Sequence, residues 1–316
     1  MSKRFEFIKA RQRSPQWFAL RKDAITATDI AVISGLSPYK TPFRLFAEKS
    51  GKVMEQAAGA AADRGRLLED AVAKYYEQER KVKLRQSNGV VRLKAHPWAM
   101  ASLDRTIVGE PDGIVEIKTS TSRAWDLQPI PPFVAAQVQW QLFCTGAQWC
   151  DVVALLGGLI FRIVRVEADP IYHTQLFERA VAFREALVKG EMPSMMAADS
   201  ATFEEMTPQR LSDMAVAEGD LNRIGQRYAD CAYEIKLLEE ELATHAIAIK
   251  ECIGEKEGII GDGWSASWKQ NKPSRKVDWQ RLAVEEKIAP DTVNAYTLET
   301  PGARVFRFKQ KEVAND

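Results

Sequence analysis

Residues 102–120 read SLDRTIVGEPDGIVEIKTS, and the fold turns on which of its acids face one point. The fragment GIVEIKTS is β-branched and bounded by turn-forming residues, which predicts a strand over 114–119. Side chains alternate along a strand, so Glu116 and Lys118 share one face while Val115 and Ile117 enter a core. With GEPDG (109–113) as a hairpin loop, Val108 falls opposite Ile114 and Asp104 opposite Lys118. Opposed Cβ atoms lie about 5 Å apart and diagonal ones about 7–8 Å, so Asp104 and Glu116 converge. A register slip of one leaves that choice of acid intact while GEPDG remains the turn. Asp112, inside the expected turn, has no place on a neighbouring strand.

Two carboxylates and a lysine around one point suit metal-dependent phosphodiester hydrolysis. Hard oxygen ligands hold Mg²⁺, the ion lowers the pKa of a bound water, and the lysine orients or deprotonates that water. The backbone carbonyl of Ile117, between the two side chains, completes the coordination. Taken alone, an E-x-K on a strand is also the pattern of a solvated face. With Asp104 added, the constellation resembles the PD-(D/E)xK nuclease motif.

The resemblance extends along the chain. Trp17…Leu20-Arg21, Ile25-Thr26-Ala27-Thr28-Asp29, Ser37-Pro38-Tyr39, Gly65…Leu68-Glu69, Ala101-Ser102-Leu103-Asp104, Glu116-Ile117-Lys118 and Ala136-Gln137-Val138-Gln139 stand in order over about residues 10–190. This series resembles the YqaJ-type viral recombinase family, which includes lambda-exonuclease-like phage enzymes. The resemblance implies a restriction-endonuclease-like α/β (α+β) fold, a mixed central sheet flanked by helices. It implies that Glu69, Asp104, Glu116 and the Ile117 carbonyl bind metal, that Lys118 is catalytic and that Gln137 lies beside them. Arg21, Thr28 and Ser102 match positions that hold a DNA 5′-phosphate. The usual SPDG around the aspartate is SLDR here, which puts the local turn in question and not the acid. Simpler readings stand beside these: Glu69 as a solvated helix acid, Gln137 and Gln141 as surface amides on one helical face, Arg21 as the partner of Asp29.

Hydrophobic periodicity predicts two short helices over 26–50 broken at GLSPY, and a helix over 66–80 with Leu68, Val72 and Tyr75 on one stripe. Helices are also expected at 131–145, opened by Pro131-Pro132, and at 169–190, with strands at NGVVRLKA, CDVVALL and LIFRIVRV. The order of helices and strands suggests a mixed sheet flanked by helices. From about 195 the text changes. Leu221, Ile224, Tyr228, Cys231, Ile235, Leu238, Leu242, His245, Ile249 and Cys252 recur at spacings of three and four, an a/d seam expected to pack against a helix of its own chain or of a neighbouring subunit. WSASWKQ and RVFRFKQK suggest a small strand pair with a helical insert near 279–296. The expected division is a nuclease core at 1–194, a coiled-coil-like segment at 195–257 and a small α+β element at 258–316.

At 316 residues and 46% apolar the chain can bury a sizeable core. Its longest apolar run, VVALLGGLIF, is about half of what spans a bilayer, so no membrane segment is expected and the reading is cytoplasmic. Four cysteines without a CxxC pair give no support to a disulfide scaffold, a zinc ribbon or an iron–sulfur cluster. The net charge of +1 conceals basic clusters at 1–22 and at Lys269, Lys272, Arg275 and Lys276.

The resemblance implies a Mg²⁺-dependent exonuclease, with Mn²⁺ as a substitute and two ions per site. It would degrade one strand of duplex DNA from a 5′ end, leaving 3′ overhangs for phage recombination, as a ring-shaped trimer beside a single-strand annealing protein. A related endonuclease or junction resolvase, and a catalytically silent DNA-end-binding protein, are the rival readings.

Overall fold

The computed structural model describes residues 4–11, 14–55, 59–207, 216–270, 278–279, 282 and 285–296. The strands are β1 (Phe5–Lys9), β2 (Leu84–Gln86), β3 (Gly89–Leu93), β4 (Met100–Ser102), β5 (Arg105–Ile107), β6 (Glu110–Ser120), β7 (Trp149–Leu156), β8 (Ile160–Glu167), β9 (Gly258–Gly261) and β10 (Trp264–Ser267). The helices are α1 (Pro15–Lys22), α2 (Ala27–Ile33), α3 (Pro42–Lys49), α4 (Ala60–Arg80), α5 (Ala124–Leu127), α6 (Pro132–Thr145), α7 (Pro170–Lys189), α8 (Ser200–Met206), α9 (Asp220–Ile253) and α10 (Pro290–Ala295). Residues Met1–Thr207 form one unit and Pro208–Asp316 another.

The main sheet of the first unit has the order β2-β5-β6-β7-β8 and is mixed: β6 and β7 run parallel, the other neighbours antiparallel. A parallel pair cannot be joined by a tight turn, and α5 and α6 form the crossover. Both faces of the sheet are covered. Val115, Ile117, Val153 and Leu155 pack with Val72 and Tyr76 of α4, while Ile114, Val152 and Ala154 pack with Val134, Val138 and Leu142 of α6. The face that carries Glu116 and Lys118 therefore lies under α6, and Glu116 is only 3% exposed. A second sheet, β1-β3-β4, closes against α1 through Val90, Met100, Trp17 and Leu20. Between them, α2, α6 and α7 share a core built on Ile30, Trp140 and Leu176.

The hairpin differs from its predicted form. β5 and β6 pair as Arg105↔Val115 and Thr106↔Ile114, then shift to Ile107↔Glu110 across a bulge. Only Gly109 needs the left-handed region, at φ 85°, and Glu110–Gly113 belong to the strand. Continued by one step, the observed pairing puts Asp104 opposite Glu116, where the predicted register puts it opposite Lys118. A displacement of two residues preserves the face of every side chain, so the convergence of Asp104 with Glu116 survives.

Gly113 serves packing. A Cβ there would fall 2.3 Å from Cζ2 of Trp149, whose ring lies 3.6 Å beneath the Arg165 guanidinium. Gly113→Ala should lower stability by about 1–3 kcal/mol, since the ring cannot retreat without disturbing that stack. Denaturant unfolding checks this, and a variant as stable as the native protein would show that Trp149 is free to move.

In the second unit β9 pairs antiparallel with β10. The seam of α9 is open among the described residues: Ile235 is 57% exposed, Leu238 64% and Leu242 69%. The expected packing within the chain is thus not seen there, because no described helix lies over that stripe. RVFRFKQK, Lys272, Arg275 and Lys276 lie outside the described residues. No helix among the described residues is long and apolar enough to cross a membrane.

Candidate active site

The chain passes from the small sheet to the large one at Leu103-Asp104, between β4 and β5. Since β5 begins only at Arg105, opposite Val115, the edge of β6 beyond that point has no β5 partner. The Asp104 carboxylate fills the gap by accepting the Ile117 N–H at 2.8 Å. A residue's N–H and C=O lie on the same edge of a strand, so the Ile117 carbonyl opens toward the same gap.

On the adjoining face, Lys118 Nζ donates to Glu116 Oε1 at 2.5 Å and to Gln137 Oε1 at 3.0 Å. Gln137 Nε2 donates to Glu116 Oε1. Gln141 Nε2 donates to Glu116 Oε2 at 2.7 Å and to the Ser102 carbonyl at 3.1 Å. Helical spacing of four brings both amides to one side of α6, directly over the E-x-K face. They are therefore ligands of Glu116 and not surface groups; Gln141 is 1% exposed.

Charge is concentrated here. Burial and the charge of Glu116 hold the Asp104 carboxyl well above the usual carboxylate range, Lys118 and the Ile117 N–H oppose them, and Glu69 raises it further. Burial alone would lower Lys118, but the charges of Glu116 and Asp104 raise it, so its ammonium is retained. The oxygens of Asp104, Glu116 and the Ile117 carbonyl are a hard donor set with an excess of negative charge, which fits a divalent cation such as Mg²⁺. Among the described residues no three His, Cys, Asp or Glu side chains are grouped to hold an ion by themselves.

All of the site residues singled out in the sequence line one cavity of about 430 Å³: Arg21, Thr28, Glu69, Ser102, Asp104, Glu116, Ile117, Lys118 and Gln137. Helix α4 reaches it because Gly65 leaves only 3.3 Å between an imagined Cβ and Thr119 Oγ1. At the opposite end, Thr26 caps α2: its hydroxyl accepts the Asp29 N–H, and the Asp29 carboxylate accepts the Thr26 N–H at 2.9 Å. That carboxylate pairs with Lys49 at 3.0 Å. Asp29 is thus committed to the cap and to Lys49. Arg21 instead stacks on Trp17, 4.3 Å from the ring centroid. The Ser102 hydroxyl is buried without a partner.

Two participants have roles that the sequence reading did not assign. Gln141 carried the signal of its spacing from Gln137. Arg105 carried only its departure from the usual glycine; its guanidinium, 4% exposed as a residue, binds Glu69, Asp70 and the Asp104 carbonyl.

Residues 16–148 match the YqaJ-like viral recombinase domain, a narrower span than the 10–190 over which the sequence blocks run. That stretch is similar to the YqaJ-like viral recombinase domain. It is 28% identical over 329 residues to the uncharacterized protein YqaJ of Bacillus subtilis (strain 168), covering 99% of both chains. The fold around the YqaJ-like domain also resembles the alkaline exonuclease LHK-Exo of Laribacter hongkongensis in its complex with dAMP. That likeness has a TM-score of 0.50 and 24% identity over 56% of this chain and 94% of the other. It shows a shared fold. The YqaJ-like domain includes every site residue named above.

Proposed function

We propose that the chain is a divalent-metal-dependent exonuclease that removes one strand of duplex DNA from its 5′ end, leaving a 3′ overhang for strand annealing. One observation carries this reading: Asp104, Glu116 and Lys118 share a cavity with Arg21, Thr28 and Ser102, so a hydrolytic cluster and a set of phosphate donors open onto one space. The relationship to an alkaline exonuclease crystallised with dAMP, a nucleoside monophosphate, supports the same class of substrate.

Asp104, Glu116 and the Ile117 carbonyl would hold Mg²⁺, or Mn²⁺ in its place. When bound, the ion would neutralise the scissile phosphate and lower the pKa of a coordinated water. The protein's own groups do the positioning. Gln137 and Gln141 fix the Glu116 carboxylate, Asp104 is fixed by the Ile117 N–H, and Lys118 brings an ammonium to the cluster that would orient the attacking water by donating to it. A host cytoplasm, a ring of three copies and a phage annealing protein as partner belong to the same reading.

Linear duplex labelled at either end, offered beside covalently closed circles with Mg²⁺ and with EDTA, tests it. Loss of label from the 5′ end, intact circles and complete inhibition by EDTA are expected. Cleavage of the circles would favour an endonuclease, and no cleavage of any substrate would favour a silent end-binding protein.

Arg21 offers parallel donors that match a terminal phosphate, and its stacking on Trp17 holds the guanidinium plane in place. The native protein should digest 5′-phosphorylated duplex faster than 5′-hydroxyl duplex. Arg21→Ala should remove that difference by slowing the phosphorylated substrate about ten- to a hundredfold. Equal native rates on both substrates would exclude Arg21 as the reader of the end.

A further inference from the structure

The residue after Asp104 stands beside the metal site without facing the cavity. Arg105 opens β5, is 4% exposed, and spreads its guanidinium over three acceptors. Nη1 donates to Glu69 Oε1 and to the Asp104 carbonyl, the latter at 2.8 Å, and Nη2 reaches Asp70 Oδ1 at 2.6 Å. Asp70 has a side chain 84% exposed and is well solvated, whereas that of Glu69 is 20% exposed. Glu69 is thus the acid whose charge the buried guanidinium answers.

A guanidinium stays charged at any working pH, and one that is buried cannot leave its acid without being stranded unpaired. A divalent ion that approached Glu69 would meet this cation on the same carboxylate. The like charges repel, and Glu69 Oε1 is already taken by Nη1 of a side chain held by three hydrogen bonds. The carboxylates of Asp104 and Glu116, by contrast, share among the described residues the single ammonium of Lys118. The two ends of the acidic set therefore differ: one already has its cation built into the chain, and the other retains excess negative charge.

We propose that Arg105 is a fixed internal cation that withdraws Glu69 from metal binding, so that each chain takes up one divalent ion, at Asp104, Glu116 and the Ile117 carbonyl. This rests on the metal-dependent reading of the site. Glu69 then acts through Arg105 as a positioning residue that holds the Asp104 segment against α4, and ion uptake follows a single-site curve.

Binding of Mn²⁺ to the full chain without DNA, followed by the paramagnetic resonance of the free ion, tests the assignment. One ion per native chain is expected. Glu69→Gln should change its affinity by no more than about threefold, while Asp104→Asn should weaken it about a hundredfold. Arg105→Met should admit a second ion, lost again when Glu69→Gln is added. Two ions in the native chain, one of them lost in Glu69→Gln, would overturn the role of Arg105 and leave the metal-dependent reading standing. No bound ion, or an affinity indifferent to Asp104→Asn, would overturn both. The Glu69→Gln comparison in the native background decides the matter even if Arg105→Met fails to fold.

Discussion

Asp104→Ala is expected to reduce nuclease activity by about three orders of magnitude while the protein remains folded. The change removes the carboxylate that accepts the Ile117 N–H and that, in the proposed reading, would hold the ion, and no core volume goes with it. A divalent ion supplies several kcal/mol of transition-state stabilisation, each 1.4 kcal/mol being about tenfold, so loss of a ligand carries most of the rate away. Burial and the charge of Glu116 already hold this carboxyl above its usual range, so its removal relieves repulsion and should not lower the melting temperature. Asp112→Ala is the control. Its side chain is exposed on β6, and its backbone carbonyl accepts the Gln148 N–H at 2.8 Å, a contact the substitution leaves in place. Rates measured on 5′-phosphorylated linear duplex should separate the two variants completely. A silent Asp104→Ala beside a dead Asp112→Ala would disprove the observed strand pairing.

Lys118→Met should be nearly as severe, at about a hundredfold or more in turnover, but by another route. Among the described residues the ammonium is the only cation paired with Glu116, whose other side-chain donors are the amides of Gln137 and Gln141. Methionine keeps the length and apolar stem of the side chain and deletes its charge and its donors. The acidic pair loses its internal competitor, so Mn²⁺ affinity should hold or rise while turnover collapses. Asp104→Ala should lose both. The contrast between binding and turnover separates a residue that handles the reacting water from one that holds the ion. Retained activity in Lys118→Met would mean that the ion alone activates water here.

Much of this site was legible in the sequence because it depends on short-range rules. Alternation along a strand places Glu116 beside Lys118, and helical spacing places Gln137 beside Gln141; both follow from local geometry. The choice of Asp104 over Asp112 was equally robust, because a two-residue displacement of register returns every side chain to its face. The helices α2, α3, α6 and α7 followed from hydrophobic period and from turn and proline signals; the structure adds the caps Thr26 and Thr41, whose hydroxyls accept the N–H groups three residues on.

What the sequence by itself determined, then, was which acids and which lysine share a face, and the order of elements that carries them. Tertiary structure alone decided what stands opposite. Gly113 reads as a turn residue from its neighbours, yet it is a strand residue whose missing Cβ makes room for Trp149, thirty-six positions on. Arg105 reads as a departure from a motif and proves to be the buried partner of Glu69, also thirty-six positions away. An a/d seam such as that of α9 reads as a packed interface, and its exposure depends on whether a second helix is present to cover it. Local propensity reports the face a residue will occupy; only chain closure brings distant faces together, and burial then sets the charge and hydrogen bonding of whatever meets there.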